Sequence, residues 1–322
     1  MITLKTVKVE RFVVDGSFNI ARGAKTDVDV VYCEVTDGTH VGRGEGTPIY
    51  YEGETADLCV EAIDMRCKQN RALSRGDLLD TMMEGAARNA LDAALWDLEV
   101  QASGKPLWKL AGLPEPQPLV TAYTISLNDP GQMEADAAKA MERGYPLLKV
   151  KLSGEDDIAR IAAVRKGSPK ARIIADANES WDEIDILDMA NALHPLGVEL
   201  IEQPVSAGFE DELMGIESPI PLCADESCHT SEDIERVEGV FQAINIKLDK
   251  TGGLTEALRL AERARTRQLG IMVGCMLSTS LGIAPAFALA QKANWVDLDG
   301  PALLKKDRPG GFRFDKGMIH PA

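Results

Sequence analysis

From residue 119 to residue 299 the chain repeats one pattern: a short apolar run, a polar turn, an amphipathic stretch, then another short apolar run. The apolar runs cover 120–126, 147–152, 173–176, 198–202, 222–225, 243–247, 270–274 and 295–299, with helical periodicity over stretches such as 133–143, 184–193 and 254–267. Strands that alternate with helices pair in parallel, because each crossover returns the chain to the same end of the sheet. Eight such strands predict an α/β fold that closes as a (β/α)7β TIM-like barrel. A doubly wound open sheet is the alternative. It would need a glycine-rich nucleotide turn after the first strand, and Ile125-Ser126-Leu127-Asn128-Asp129 is not one.

The preceding residues follow a different rule. Residues 3–14 and 28–36 alternate apolar and polar, and Gly38 marks a turn, which predicts a small antiparallel sheet. Between those strands, 18–26 reads as a polar loop carrying Arg22 and Lys25. The run Gly42-Arg43-Gly44-Glu45-Gly46-Thr47-Pro48 is too rich in glycine to predict regular structure, and it lacks the spacing of a phosphate loop. Helices are expected over 55–69, 77–83 and 85–98, after which Gly104, Pro106, Pro114, Pro116 and Pro118 mark a boundary. The expected organisation is an N-terminal α+β capping domain over 1–115, completed by about 303–322, on a barrel over 116–302.

A net charge of -16 argues against nucleic acid or an anionic membrane surface as partner. No apolar run reaches membrane-spanning length, and the N-terminus opens on a strand pattern, not a signal peptide. The six cysteines are scattered and form no C-x-x-C pair, as expected of reduced thiols in a cytoplasmic protein.

In such barrels chemistry sits at the C-terminal ends of the strands. Those ends carry Thr124, Lys149 and Lys151, Asp176, Glu202, Asp225, Lys247, the turn Gly274-Cys275-Met276, then Asp297 and Asp299. Side chains alternate along a strand, so Lys149 and Lys151 share a face. Any one of the acids alone reads as a strand-end cap in an acidic protein. Three in succession, at Asp176, Glu202 and Asp225, repel one another unless a hard cation stands among them, and Mg²⁺ suits oxygen ligands while leaving room for substrate.

The segments Lys149-Val150-Lys151, Asp176-Ala177-Asn178, Glu202-Gln203-Pro204, Ala224-Asp225-Glu226-Ser227 and Asn245-Ile246-Lys247-Leu248 together resemble the enolase superfamily, in its muconate-lactonizing-enzyme-like branch. The resemblance covers nearly the whole chain, including Arg88-Asn89-Ala90-Leu91-Asp92 of the capping domain. Asp297-Leu298-Asp299-Gly300-Pro301 resembles the aspartate pair by which dipeptide epimerases hold a free ammonium. The run from Asn245 to Leu254 is similar to that of L-Ala-D/L-Glu epimerases.

The resemblance implies a barrel of eight strands and seven helices with one Mg²⁺ per subunit. A lysine or histidine base working beside Mg²⁺ is established chemistry of this superfamily, not a deduction from these residues. It further implies epimerisation of a dipeptide, L-Ala-D-Glu to L-Ala-L-Glu, by two-base 1,1-proton transfer through an enediolate, in murein peptide recycling. Lys151 and Lys247 would be the two bases on opposite faces of the carbon, and Lys149 the permanent cation beside the substrate carboxylate. Asp297 and Asp299 would meet the ammonium, Arg22 (or its neighbour Lys25) the glutamate side chain, and Thr124, Cys275 and Met276 the rest of the dipeptide. Asn178 and Glu226 are expected just behind these groups. No histidine has a motif that places it near Cys275, so a nucleophilic thiol is not expected.

Cycloisomerase, o-succinylbenzoate synthase and N-acyl amino acid racemase are competing reactions on the same metal site, and their substrates carry no ammonium for Asp297 and Asp299. A non-catalytic binding barrel is a further alternative, opposed by the presence of all three lysines and all three acids. A homo-oligomer is compatible with this reading.

Overall fold

The computed structural model of the protein describes residues 1–20, 23–69 and 72–321. Its N-terminal part is an antiparallel sheet of β1 (Thr3–Ile20), β2 (Gly23–Thr36) and β3 (Val41–Gly46), in that order. The helices α1 (Ala56–Lys68), α2 (Arg75–Thr81) and α3 (Ala86–Ser103) pack on it, followed by the single turn α4 (Leu107–Leu110). Thr55 and Ser74 accept hydrogen bonds from Leu58 and Asp77 backbone N–H groups, so the first two helices start where a hydroxyl can satisfy an orphan donor.

Two expectations fail here, each for a physical reason. Residues 18–20 and 23–26 are not a free polar loop: β1 and β2 continue through them, pairing Phe18 with Lys25, Asn19 with Ala24 and Ile20 with Gly23. A register shift between Val13 and Phe18, around Gly16 at φ 88°, interrupts the alternation and hides the strand. The glycine-rich run is the regular strand β3. Its glycines lie on one face, two residues apart, against the backbone of α3. A Cβ on Gly44 would stand 1.9 Å from Ala90 O, and one on Gly42 2.1 Å from Ala94 O. The strand therefore needs glycine for close approach, as the alanine-rich α3 does from the other side. Gly44→Ala is expected to lower stability by about 3 kcal/mol, the upper end for overpacking. Urea unfolding checks this; a loss within error of zero would mean that the sheet and α3 separate freely.

The barrel starts after β4 (Leu119–Val120). Its strands and helices run β5 (Tyr123–Ile125), α5 (Pro130–Glu142), β6 (Leu147–Lys151), α6 (Asp157–Gly167), β7 (Arg172–Asp176), α7 (Ile186–Leu193), β8 (Val198–Glu202) and β9 (Leu222–Ala224). They continue with α8 (Ile234–Val237), β10 (Ala243–Lys247), α9 (Leu248–Thr251), α10 (Leu254–Thr266), β11 (Gly270–Gly274), α11 (Ser280–Ala290) and β12 (Trp295–Asp297). All eight strands from β5 to β12 are parallel and neighbours in chain order. The seam closes through Ala122 N–H to Val296 O (2.8 Å). Inside, Ala122, Leu147, Ile174, Leu200, Cys223, Ala243 and Met272 form one buried apolar layer. Outside, a larger core joins strands to helices.

Three details depart from the sequence-based expectation. The run at 120–126 is divided, since Leu119 and Val120 pair with the chain's last strand and only Tyr123–Ile125 joins the barrel. The connection from β8 to β9 has no α-helix, only the 3-10 turn Glu210–Leu213, in a stretch broken by Gly208, Gly215, Pro219 and Pro221. Finally, β12 stops at Asp297, so Asp299 lies beyond the strand, before the 3-10 turn Gly300–Leu303. The C-terminal tail touches both parts of the molecule. Lys305 N–H donates to Val13 O (2.8 Å) and Arg308 pairs with Glu45 (2.7 Å). After these contacts, β13 (Arg313–Asp315) and β14 (Met318–His320) form a small sheet with β4.

Candidate active site

Strand register sets the site. Lys151 is level with Asp176, Asp176 with Glu202, and Glu202 with Cys223; on the other side Lys247 is level with Gly274 and Gly274 with Asp297. Above them a cleft lies between the barrel mouth and the cap. Thr124, Lys149, Lys151, Asn178, Glu226, Lys247, Cys275, Met276, Asp297 and Asp299 line it from the barrel, and Lys25, Thr47, Pro48, Tyr50 and Tyr51 from the cap. Asp176, Glu202 and Asp225 are almost fully buried. Arg22 lies outside the described residues. Its neighbour Lys25 does reach the cleft, with its ammonium 3.7 Å from the centre of the Tyr50 ring, and burial lowers its pKa.

The buried charges interlock. Lys149 Nζ lies 2.9 Å from Glu202 Oε1, 3.0 Å from Asp176 Oδ2 and 3.0 Å from Asp297 Oδ2. Burial alone would discharge it, but Asp176, Asp297 and Glu202 hold its pKa well above the ordinary lysine value. Lys151 Nζ donates to Asp176 Oδ2 and Lys247 Nζ to Asp225 Oδ2, each at 2.6 Å. Burial opposes the charge on Lys247 too, and Asp225 raises its pKa above the usual value. Burial would raise Asp176, yet Lys149 and Lys151 keep it below the usual carboxylate range. Glu202 goes the other way: burial, then the Asp176 charge, push it up to about 8 even with Lys149 alongside.

Among the described residues, no group of three or more His, Cys, Asp or Glu side chains is already set at metal-ligand geometry, since the three carboxylates are turned onto lysines. Their chemistry still fits a hard divalent cation. They end adjacent strands, and Glu202 Oε2 and Asp225 Oδ1 are buried oxygens that accept no hydrogen bond and meet only lysine ammoniums, Lys149 at 2.8 Å and Lys250 at 2.7 Å. The repulsion that raises Glu202 is what a cation among them would relieve.

At the opposite wall, Asp299 Oδ2 accepts the Thr124 N–H (2.8 Å). Burial, then Asp297, push Asp299 up to about 7. Asp297 spends one oxygen on Lys149, while its Oδ1 is buried with no hydrogen bond. Cys275 N–H donates to Asp297 O (3.1 Å), and burial keeps the thiol well above its ordinary pKa, which opposes a nucleophilic role. Asn178 N–H donates to Asp176 Oδ1 (3.0 Å) in a left-handed turn directly after that strand.

Two family models cover most of the chain: "Mandelate racemase / muconate lactonizing enzyme, N-terminal domain" over residues 1–112 and "Enolase C-terminal domain-like" over residues 132–322. The chain belongs to the enolase superfamily. Across 98% of its length it is 39% identical to the L-Ala-D/L-Glu epimerase of Escherichia coli (strain K12), all of which is covered. It is 41% identical to an N-acetyl-D-glutamate racemase from a Pseudoalteromonas species, over 89% of this chain and 91% of that one. A solved enolase family member from Agrobacterium tumefaciens, with homology to dipeptide epimerases and bound sodium and L-Ala-L-Glu, is 47% identical with a TM-score of 0.95, covering 100% of this chain and 98% of that one. The protein is an isomerase.

In this enolase-superfamily barrel three polar residues work behind the lining and escaped the sequence reading. Lys250 is fully buried and sends its ammonium to Asp225 Oδ1, to Cys228 O (2.9 Å) and to Asn245 O (3.2 Å). Its place one helical turn after Lys247 was the available signal. Asn245 Nδ2 donates to Glu202 Oε1 (2.8 Å). Gln203, at φ 36°, accepts the N–H groups of Asp225 (2.7 Å) and Ser227 (3.1 Å) and donates to Val205 O and Ser227 Oγ, which ties the ends of β8 and β9 together. Nothing in its local sequence announces that.

Proposed function

We propose that the chain interconverts L-Ala-D-Glu and L-Ala-L-Glu by moving the α-proton of the glutamate residue between Lys151 and Lys247, with one Mg²⁺ per subunit, in cytoplasmic recycling of murein peptides. The observation that carries this reading is the placement of Lys151 and Lys247 in one cleft, on either side of the three carboxylate strands. One amine takes the proton while the other, charged, returns one to the opposite face. Lys149, held charged by its three carboxylates, faces the negative charge that develops on the substrate carboxylate. A Mg²⁺ held by Asp176, Glu202 and Asp225 would add positive charge at that same carboxylate. Asp297 and Asp299 support this substrate, since the buried Asp297 Oδ1 accepts no hydrogen bond and suits an ammonium, and so do the related L-Ala-D/L-Glu epimerase and the relative with bound L-Ala-L-Glu. Thr124, Cys275 and Met276 would hold the rest of the dipeptide, and Arg22 its glutamate side chain.

A second reading, racemisation of an N-acylated glutamate, is favoured by the similarity to the Pseudoalteromonas enzyme, and burial beside Asp297 disfavours the charged form of Asp299 that an ammonium would need. Asp299→Asn separates the two, and is cleaner than Asp297→Asn because Asp297 also serves Lys149. For L-Ala-D-Glu, kcat/KM should fall roughly 10- to 100-fold, as for loss of a charged hydrogen bond. N-acetyl-D-glutamate turnover should be unchanged or improved. An equal loss for both substrates removes Asp299 from ammonium recognition. A wild-type kcat/KM higher on N-acetyl-D-glutamate than on the dipeptide establishes the second reading instead.

A further inference from the structure

The turn that follows Lys247 is gripped by the cap, and the turn that follows Lys151 is not held the same way. Lys247 ends β10 and immediately precedes α9, so the placement of α9 bears directly on the lysine's backbone. Asp249 Oδ1 accepts the Thr47 N–H and the Asn89 Nδ2–H, both from the cap and both at 2.8 Å. Arg88 donates to Thr251 O (2.8 Å) and Gly252 O (3.2 Å), and Asp92 accepts the Thr255 N–H (3.0 Å). A Cβ at Gly252 would meet Arg88 at 2.3 Å, so α3 presses directly on this turn. From below, Lys250 bolts the same short helix to Asp225. The loop after Lys151 is braced inside the barrel, by Asp157 accepting the N–H groups of Ser153 (3.1 Å) and Gly154 (2.8 Å) and the Trp181 indole (2.8 Å).

We infer that the clamp of Asn89 and Thr47 on Asp249 is a positioning device for Lys247 alone, so that loosening it slows proton transfer on one face of the substrate carbon and spares the other. The inference rests on the two-base reading above. A lysine amine at the end of a flexible chain is placed by its backbone and by the groups around it, and a displacement of about 1 Å can cost on the order of 10²-fold in rate. Asp249, Asn89 and Arg88 touch no reacting atom in this arrangement; they act through α9.

Loss of the α-proton from L-Ala-D-Glu and from L-Ala-L-Glu, each followed separately by proton NMR in D₂O with saturating Mg²⁺, tests this. Asp249→Ala should slow exchange of the epimer served by Lys247 by roughly 10- to 100-fold and leave the other within about threefold. Asp249→Asn, which keeps an acceptor oxygen for both cap donors, should restore the slow arm. Should Asp249→Ala not fold, Asn89→Ala removes one of the two donors and carries the same one-sided expectation at smaller amplitude. An equal fall in both arms, or no fall in either, overturns the inference. Lys247→Ala is the control: if it is one-sided and Asp249→Ala is not, only the inference fails. If Lys247→Ala exchanges both epimers or neither, the two-base reading fails and takes the inference with it.

Discussion

Lys151→Ala should stop interconversion of the two Ala-Glu epimers in both directions while leaving α-proton exchange with solvent on one of them. Inversion needs an amine on each face of the carbon, so removing either one should cost roughly 10³-fold or more in epimerisation, within the range for a general acid or base. Exchange without inversion needs only one. Lys247 keeps its own partner, Asp225 at 2.6 Å, when the Lys151–Asp176 pair is gone, because the two lysines are anchored to different carboxylates on different strands. It can therefore still remove a proton and return a deuteron on its own face. Lys247→Ala should show the mirror image. The family resemblance leads us to expect Lys151 to serve the epimer with a D residue and Lys247 the L epimer, an assignment that the sequence alone does not fix. Proton NMR in D₂O on the two single variants reads this directly. A variant that inverts one epimer into the other, or exchanges both at comparable rates, would rule out the two-base mechanism.

Exhaustive chelation, or Glu202→Gln, should have an effect as large. Glu202 is the carboxylate most disfavoured as an anion, pushed up to about 8 by burial and by Asp176. It is also central, between the Asp176 and Asp225 strands. A cation held there would add charge stabilisation worth several kcal/mol at the substrate carboxylate, so its loss should lower turnover by about 10³-fold or more. A second readout is independent of turnover. Mg²⁺ at a hundred times its Kd stabilises a folded protein by about 2.7 kcal/mol, which raises the melting temperature. That rise should disappear in Glu202→Gln, which keeps the side chain's shape but not its charge. Full turnover after EDTA treatment, or an unchanged Mg²⁺-dependent melting shift in the variant, would remove these three carboxylates from a metal role.

Features set by neighbouring residues were legible in the sequence, and those set by distant contacts were not. Lys149 and Lys151, Asp176, Glu202, Lys247 and Asp297 could be placed because each sits at or near the end of an apolar run, and parallel alternation sends all such ends to one mouth. The same reading failed at Gly42, Gly44 and Gly46, where glycine looked like irregularity. The cause was α3, whose carbonyls approach those positions from residues some fifty places further along. It also missed the strand pairing of 18–20 with 23–25, where a register shift between Val13 and Phe18 breaks the alternation that marks a strand.

Local periodicity is a property of neighbouring residues, so the sequence by itself determined the barrel, the helices and part of the sheet of the cap, and which side chains stand at the barrel mouth. Who pairs with whom in that mouth was decided only by closure of the barrel. Lys149 and Asp297 are 148 residues apart and meet at 3.0 Å because β5 closes onto β12. Asn89 reaches Asp249 across 160 residues because α3 lies on the turn after Lys247. In a buried, low-dielectric site such pairings hold Lys149 and Lys247 charged and set which carboxylate is raised, and they depend on distances of a few ångströms that no spacing along the chain encodes.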